Sequence, residues 1–204
     1  MTIIICYGLD YIANKIKVNV IMQRNLSTLI LLLTVLTSAS GYAASAASFD
    51  IYLIRHFEKA ANTNDPDVPL SQKGASNAQL FSQLMSEHPL SAIYSTDYVR
   101  TRTSVSALAK IKSLDISLYD PRALSDFAME LLAKQDNAVI AGHSNTTGVL
   151  YAALGCEEVV LGANDYGDIF VVHVDGETIE CSTESLVSWS ANTSSIKADE
   201  GADD

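Results

Sequence analysis

The chain has 204 residues, 48% of them hydrophobic, which suits one folded domain with a buried core. Its 24 Asp and Glu residues outnumber its 13 Lys and Arg residues, giving a formal net charge of −11 at pH 7. A surface this acidic repels nucleic acid and anionic lipid, so we expect neither as a partner.

The N-terminal region has the pattern of a secretory signal peptide. Arg24 precedes an apolar centre, Leu29–Leu36, which is followed by small residues and an Ala-x-Ala site at Ala44–Ala46. The apolar run is shorter than the roughly 20 residues that a membrane-spanning helix needs. We therefore expect cleavage near Ala46, no stable membrane insertion afterwards, and a periplasmic or secreted protein.

Beyond this region, strand-like and helix-like patterns alternate along the chain. Short apolar, β-branched runs predict strands over residues 49–54, 92–94, 116–119 and 138–141. Apolar residues at helical spacing predict helices over residues 71–85, 98–111, 124–132 and 146–154. Residues 169–174 and 178–181 predict a hairpin that turns at Asp175-Gly176. This order predicts an α/β fold, a three-layer α/β/α sandwich around a mostly parallel sheet.

These patterns divide the chain into four parts. Met22 is an alternative start, which would make residues 1–21 an upstream mis-start and residues 22–46 the signal peptide. Residues 47–187 form the predicted domain. Residues 188–204 are polar, Ser-rich and acidic, which predicts a disordered tail.

Polar residues suited to binding phosphate follow the predicted strands. Ligands bind at the carboxyl ends of the strands in such a sheet, so we expect these side chains to lie at one edge. They are Arg55, His56 and Glu58 after the first strand, Ser95 and Arg100 after the second, Asp120 after the third, and His143 and Asn145 after the fourth.

This set of side chains suits phosphoryl transfer. Guanidinium groups match phosphate oxygens with paired hydrogen bonds, and a neutral imidazole can attack phosphorus to give a covalent intermediate. A second histidine can donate to the developing charge. We expect no metal and no cofactor, because the clustered carboxylates of a magnesium enzyme are missing. Zinc is the alternative for paired histidines, but the neighbouring Arg side chains would repel it.

Four motifs resemble, in order, those of the histidine phosphatase superfamily, which includes the phosphoglycerate mutases. Residues 51–58 (IYLIRHFE) are similar to its Arg-His-Gly motif, and residues 70–74 (LSQKG) to its Leu-Thr-x-x-Gly helix start. Residues 94–100 (YSTDYVR) are similar to its Ser-x-x-x-x-Arg segment, and residues 141–147 (AGHSNTT) to its Gly-His motif. The resemblance covers residues 50–174 and implies a phosphoglycerate mutase-like fold.

The resemblance also implies a metal-independent phosphatase that forms a phosphohistidine on His56. The other residues it implies at the phosphoryl group are Arg55, Arg100, His143, Ser95 and Asn145. The sequence departs from the family pattern at Phe57, where Gly is usual. The loop there must adopt an ordinary backbone conformation or make room for a ring. Arg102 lies close to Arg100, so a two-residue shift of the second phosphate-binding Arg stays open.

The general acid is not fixed by these motifs. Asp120 and Glu58 are the two candidates, and a good leaving group such as a phosphoramidate would need no dedicated acid. Ser144 stands where some relatives place an acid after the second His.

The substrate class follows from a short spacing. Only 42 residues separate Arg100 from His143, which leaves little room for an inserted cap and predicts an open site. A bulky phosphorylated substrate, such as a protein, a lipid-linked phosphate or an envelope glycan, fits an open site. A non-catalytic phosphate-binding module is the alternative function, and a phosphomutase a weaker one. Cys156 and Cys181 predict either a disulfide or two thiols.

Overall fold

The computed structural model of the protein describes residues 48–61 and 67–191. The predicted mis-start and signal peptide, and residues 192–204 of the predicted tail, lie outside the described residues. The strands and α-helices, in chain order, are β1 (Phe49–Arg55), α1 (Gln72–Leu84), β2 (Ala92–Ser95), α2 (Val99–Lys112), β3 (Ile116–Leu118), α3 (Leu124–Lys134), β4 (Ala138–Gly142), α4 (Thr147–Ala153), β5 (Asp168–Asp175) and β6 (Thr178–Ser185). Every predicted element is confirmed, and its ends agree with the observed ends within two residues. The exception is the last strand, which ends at Ser185 rather than at residue 181.

The strands form one mixed sheet in the order β3-β2-β4-β1-β5-β6. The first four strands in this order are parallel, whereas β5 pairs antiparallel with β1 and β6 antiparallel with β5. The mostly parallel sheet and the terminal hairpin are therefore confirmed. Because β1 and β4 are central neighbours, the residues that follow them meet at one edge of the sheet.

Alternation along β1 builds a core on each face of the sheet. Ile51 and Leu53 pack in the core beneath α3 and α4, and Tyr52 and Ile54 pack in the core beneath α1 and α2. Helices therefore cover both faces, which confirms the three-layer α/β/α sandwich.

The hairpin turn differs from the prediction by one residue. Asp175 pairs with Thr178, so the two turn residues are Gly176 and Glu177. Gly176 has a φ of 59°, in the left-handed region that glycine adopts without a steric penalty. Glycine thus occupies the first turn position rather than the second.

The two cysteines of the described domain form a disulfide. Cys156, just after α4, is bonded to Cys181 in β6. The open choice between a disulfide and two thiols is thereby settled in favour of the disulfide, which ties the α4 face to the edge of the sheet.

The ordered domain continues past residue 187. Residues 186–191 are helical, and the Trp189 ring stacks on Tyr52 with 6.1 Å between ring centroids. The first residues of the predicted tail are therefore folded against the core. No helix among the described residues is long and apolar enough to cross a bilayer.

Candidate active site

His56 follows β1 and is held in one tautomer. Its backbone N–H donates to Gly142 O at 2.9 Å, which continues the pairing of β1 with β4. Its Nδ1 lies 2.7 Å from Phe57 O. A carbonyl oxygen can only accept, so Nδ1 carries the proton and Nε2 keeps its lone pair in the neutral ring.

The surroundings of His56 keep this imidazole neutral. The residue is 4% exposed, and burial is the main cause that lowers its pKa to about 4. The hydrogen bond to Phe57 opposes this shift, and the nearby charges of His143, Arg100 and Arg55 add to it. At neutral pH the ring is therefore neutral, with an unprotonated Nε2.

Phe57, which replaces the usual Gly, belongs to the core rather than to the site. Its ring is fully buried and lies 5.8 Å from the Phe81 ring, between centroids. Its N–H donates to Ser104 Oγ at 3.0 Å, and its φ is not positive. Both expectations for this position are confirmed: the backbone is ordinary and the core has room for the ring.

The LSQKG segment fixes the loop after His56 against helix α1. Ser71 Oγ accepts from Gly74 N–H at 3.0 Å and caps the helix, while Ser71 N–H donates to Glu58 O at 2.9 Å. A Cβ at position 74 would lie 2.1 Å from Glu58 O, so only glycine allows this close approach. The motif therefore positions the loop that bears the nucleophile.

Arg55 holds a loop that sequence analysis did not single out. Its Nη1 donates to Gly162 O at 2.7 Å and to Asp165 O at 3.0 Å, and its Nη2 donates to Ala163 O at 3.0 Å. The guanidinium carbon also lies 3.9 Å from the centre of the Tyr166 ring. Its Nε is buried without a hydrogen-bond partner. Arg55 thus anchors the loop 162–166 beside the histidines.

Arg100, rather than Arg102, lines the site. Its guanidinium carbon lies 4.4 Å from the Tyr98 ring centre, and its Nη1 lies 3.9 Å from Asp67 Oδ1. Like Arg55, it has a buried Nε without a partner. Arg102 instead pairs with Asp97 at an exposed position. The assignment of the second phosphate-binding Arg to Arg100 agrees with this geometry.

A chain of threonine hydroxyls orients His143. Its Nε2 lies 2.8 Å from Thr96 Oγ1, and the Thr96 hydroxyl donates to Thr101 Oγ1 at 3.0 Å. The Thr101 hydroxyl in turn donates to the carbonyl oxygens of Thr96 and Tyr98, each at 2.9 Å. The Thr96 hydroxyl already donates its proton to Thr101, so it can only accept from His143. The proton in the hydrogen bond between Thr96 and His143 is therefore on His143 Nε2. Nδ1 is then an acceptor while the ring is neutral.

His143 is also neutral in the free protein. Burial, followed by the charges of Arg100 and Arg55, lowers its pKa to about 4. Its ring centroid lies 5.4 Å from that of His56. The two imidazoles therefore face one small space.

That space is a cavity of about 340 Å³ with a basic lining. It brings together five predicted site residues: Arg55, His56, Arg100, His143 and Asn145. The other lining residues are Lys59, Tyr98, Pro121, Arg122, Ser144 and Thr146. No carboxylate of the described residues is among them, so the cavity favours an anion.

Three predicted residues lie outside this cavity. Ser95 is fully buried and its hydroxyl donates to Thr96 O at 2.9 Å, so it does not contribute to phosphate binding; the neighbouring Thr96 contacts the site instead. Glu58 pairs with Lys73 at 3.4 Å and lines an adjoining cavity.

Asp120 does not fit the role of general acid. Its two carboxylate oxygens accept from Arg122 Nε and Nη2 at 2.9 and 2.8 Å. These hydrogen bonds lower the pKa of Asp120 to about 2, so the group holds no proton to donate at ordinary pH. The described residues contain no group of three or more His, Cys, Asp or Glu that could hold a metal ion.

Many solved structures share this fold. A protein histidine phosphatase SixA complexed with tungstate is 14% identical, with a TM-score of 0.56 over 69% of this chain and 99% of that chain. A mycobacterial glucosyl-3-phosphoglycerate phosphatase is 14% identical, with a TM-score of 0.54 over 68% of this chain and 98% of that chain. At these identities the likeness shows a shared fold.

The sequence itself carries a family match. The model of the histidine phosphatase superfamily (branch 1) matches residues 51–122, from β1 to the segment after β3. No curated protein sequence matches the chain significantly. The family match over residues 51–122 and the shared fold confirm the resemblance found from the motifs: this part of the chain is similar to the histidine phosphatase superfamily, and the described domain has the phosphoglycerate mutase-like fold.

Proposed function

We propose that the protein is an exported, metal-independent phosphatase that hydrolyses a phosphomonoester or a phosphoramidate through a phosphohistidine on His56. The observation that carries this proposal is the state of the His56 ring. Its Nδ1 proton is committed to Phe57 O, and the pKa near 4 leaves the Nε2 lone pair available at neutral pH. A neutral imidazole fixed in this way beside anion-binding groups is an activated nucleophile.

The reaction proceeds in two displacements at phosphorus. Nε2 attacks, an N–P bond forms, and the bond from phosphorus to the leaving atom breaks with its electron pair on that atom. A water molecule then attacks phosphorus, the N–P bond breaks, and phosphate and neutral His56 are released. The guanidinium groups of Arg55 and Arg100, which line the cavity, supply positive charge that stabilises the phosphoryl oxygens in both steps.

The proton for the leaving group enters with the substrate. His143 Nδ1 is an acceptor in the free protein, so it accepts a hydrogen bond from the protonated oxygen of a bound phosphoryl monoanion. One proton therefore lies beside the reacting atoms, where the leaving atom can take it. This route needs no carboxylic acid, which accords with the ionised state of Asp120.

The family supports phosphatase chemistry, and the neighbours leave the substrate open. One neighbour is a protein histidine phosphatase that holds tungstate, and the other is a glucosyl-3-phosphoglycerate phosphatase. The first name indicates a protein substrate and the second a small-molecule substrate, although the two proteins share one fold. The basic cavity of this chain is compatible with the phosphoryl group of either.

The test is hydrolysis of p-nitrophenyl phosphate with a chelator present, comparing the purified protein with its His56→Ala variant. We expect activity that survives the chelator and falls at least about 10³-fold in the variant, because removal of a covalent nucleophile abolishes the main route. Activity that needs metal and persists in His56→Ala would refute the proposal. Retention of phosphate without turnover would instead favour the non-catalytic phosphate-binding module.

Export is tested separately. N-terminal sequencing of the protein recovered from its producing cells should find a mature chain that starts close to Ala47, as the Ala-x-Ala site predicts. A cytoplasmic protein with its N-terminus intact would contradict export and leave the phosphatase proposal untouched.

A further inference from the structure

The loop between α4 and β5 lies against Arg55 and His56. Residues 157–167 belong to this α4–β5 loop. Three of its carbonyl oxygens, those of Gly162, Ala163 and Asp165, accept hydrogen bonds from Arg55 at distances between 2.7 and 3.0 Å. The ring of Tyr166 lies 5.9 Å from the ring of His56, between centroids. The loop is therefore placed to affect both the anion-binding guanidinium and the nucleophile.

The orientation of Arg55 depends on these contacts. The residue is 6% exposed, so its positive charge is largely removed from water. A buried charge is tolerated when hydrogen-bond partners compensate for the lost water, and the loop carbonyls do so for both Nη atoms. A shift of the loop would remove these acceptors and let the guanidinium rotate away from the position in which it faces the phosphoryl group.

The α4–β5 loop has few contacts of its own that hold it in place. Most of residues 157–165 are exposed. Within the part of the chain that the structure describes, no hydrogen bond involves residues 157–161, and their contact with the core is through Val159 and Leu161. Exposure and scarce hydrogen bonds are the features of a segment with low local stability. The position of the loop therefore depends on the anchors at its ends.

The anchor at the start of the loop is a covalent bond. Cys156 directly precedes the loop, and its disulfide to Cys181 attaches it to β6. At the other end, Gly167 O accepts from Leu186 N–H at 2.8 Å. The disulfide is the anchor that chemistry can remove, because Cys181 is exposed and Cys156 is partly exposed. A dithiol supplies two electrons and two protons, the S–S bond breaks to give two thiols, and the dithiol itself becomes a disulfide.

We propose that the Cys156–Cys181 disulfide positions Arg55 through the α4–β5 loop, so that full phosphatase activity requires the oxidised protein. The inference rests on the proposed function, because that function assigns Arg55 to the phosphoryl group. Cys156 and Cys181 are thus positioning residues that touch neither the substrate nor the reacting atoms. Disulfides persist in oxidising compartments, so the chain would reach full activity only after the proposed export.

A comparison of two proteins in two redox states tests this proposal. The full-length wild type and its Arg55→Ala variant are each assayed oxidised and after treatment with dithiothreitol. The measurements are kcat/KM for p-nitrophenyl phosphate and the calorimetric affinity for inorganic phosphate. Alkylation and peptide mass spectrometry establish the state of the two cysteines, and circular dichroism establishes that each sample is folded. If Arg55→Ala does not fold, Arg55→Lys takes its place, because lysine lacks the planar fork that binds the carbonyl oxygens.

The control for the reductant is the double variant Cys156→Ser/Cys181→Ser. Without the disulfide, its kcat/KM should equal that of the reduced wild type whether or not dithiothreitol is present. A change in this variant on addition of dithiothreitol would mean that the reductant acts on another part of the protein, and it would overturn the assignment to this disulfide.

We expect reduction to lower kcat/KM of the folded wild type about tenfold and to weaken its phosphate affinity, since a small displacement of a binding group is costly. In Arg55→Ala, reduction should change both quantities less than twofold, because the link from the loop to the phosphoryl group is already missing. No change in the wild type, equal losses in the two proteins, or a loss accompanied by unfolding would overturn the inference. Absence of turnover in the oxidised wild type would instead refute the proposed function, and the phosphate affinities would still decide the role of the disulfide.

Discussion

The two ends of β1 hold histidines in opposite electrostatic settings. At the start of the strand, His173 of β5 lies directly opposite Asp50, and its Nδ1 is 2.7 Å from the carboxylate. This hydrogen bond raises the pKa of His173. At the far end, roughly 20 Å away along a strand of seven residues, burial lowers the pKa values of His56 and His143 to about 4.

The difference shows that position, and not residue type, decides what each histidine can do. His173 has an anionic partner and water nearby, so its charged form is favoured and it serves as half of an ion pair. His56 has no carboxylate partner and has two arginines close by, so its neutral form is favoured. Only the neutral ring has a lone pair with which to attack phosphorus.

After the loss of His56 itself, the largest effect should come from removing a cation beside the two histidines. Arg100→Ala should lower kcat/KM for p-nitrophenyl phosphate about 100-fold, because the phosphoryl oxygens lose a charged donor in a partly buried cavity. Arg102→Ala is the matched control two residues away, since Arg102 pairs with exposed Asp97, and we expect less than a twofold change. Equal losses in the two variants would contradict the assignment of the phosphate site to Arg100.

The next largest effect is the pH dependence of the reaction. His56 must be neutral to attack, so kcat/KM should fall tenfold per unit as the pH drops below about 4. A phosphomonoester loses its second proton near pH 6, and the monoanion that brings the proton for the leaving group is lost above this value. We therefore expect a maximum between about pH 4 and pH 6. A rate that stays constant up to pH 8 would show that the proton does not enter with the substrate.

A smaller effect is expected from the threonine that orients His143. Thr96→Val removes the acceptor of the His143 Nε2 proton and should lower kcat about tenfold, with the alkaline limb of the pH profile displaced. Thr96→Ser keeps the hydroxyl, so we expect it to restore both kcat and the position of the alkaline limb. If Thr96→Ser is as impaired as Thr96→Val while both variants remain folded, the role of Thr96 is packing rather than orientation.

The smallest effect concerns the other end of β1. NMR titration of the histidines should find His173 above its ordinary pKa of 6.5, with His56 and His143 well below it. Asp50→Asn should lower the pKa of His173 and leave the pKa of His56 unchanged, because the two lie at opposite ends of the strand. A shift of His56 in Asp50→Asn would show that the two ends are coupled.

The order of the elements and the main site residues could be predicted from the sequence because both depend on residues that are neighbours along the chain. A continuous apolar run predicts that β1 is a buried strand, and a polar pair directly after such a strand lies at the edge of the sheet where ligands bind. Arg55 and His56 satisfy this condition, as does His143 after β4. The LSQKG segment was found by its resemblance to the family motif, and the structure explains its glycine by the position of Glu58 O.

The remaining features depend on contacts that no local pattern reveals. Arg55 contacts carbonyl oxygens more than 100 residues along the chain, in a loop with no repeat or motif. Ser95 and Thr96 are chemically similar, buried neighbours, and the direction of the backbone after β2 decides that Thr96 contacts His143 while Ser95 donates to Thr96 O. Asp120 follows a strand as an acid might, but Arg122 two residues later pairs with it.

The most direct test of the phosphohistidine is to trap it. The protein is mixed with ³²P-labelled substrate, quenched in alkali within milliseconds, and digested to locate the label. A phosphoryl group on the imidazole is stable in alkali and labile in acid, and we predict it on the peptide that contains His56 and in no peptide from His56→Ala. Label on His143, or label that persists in His56→Ala, would contradict the central assignment of the nucleophile.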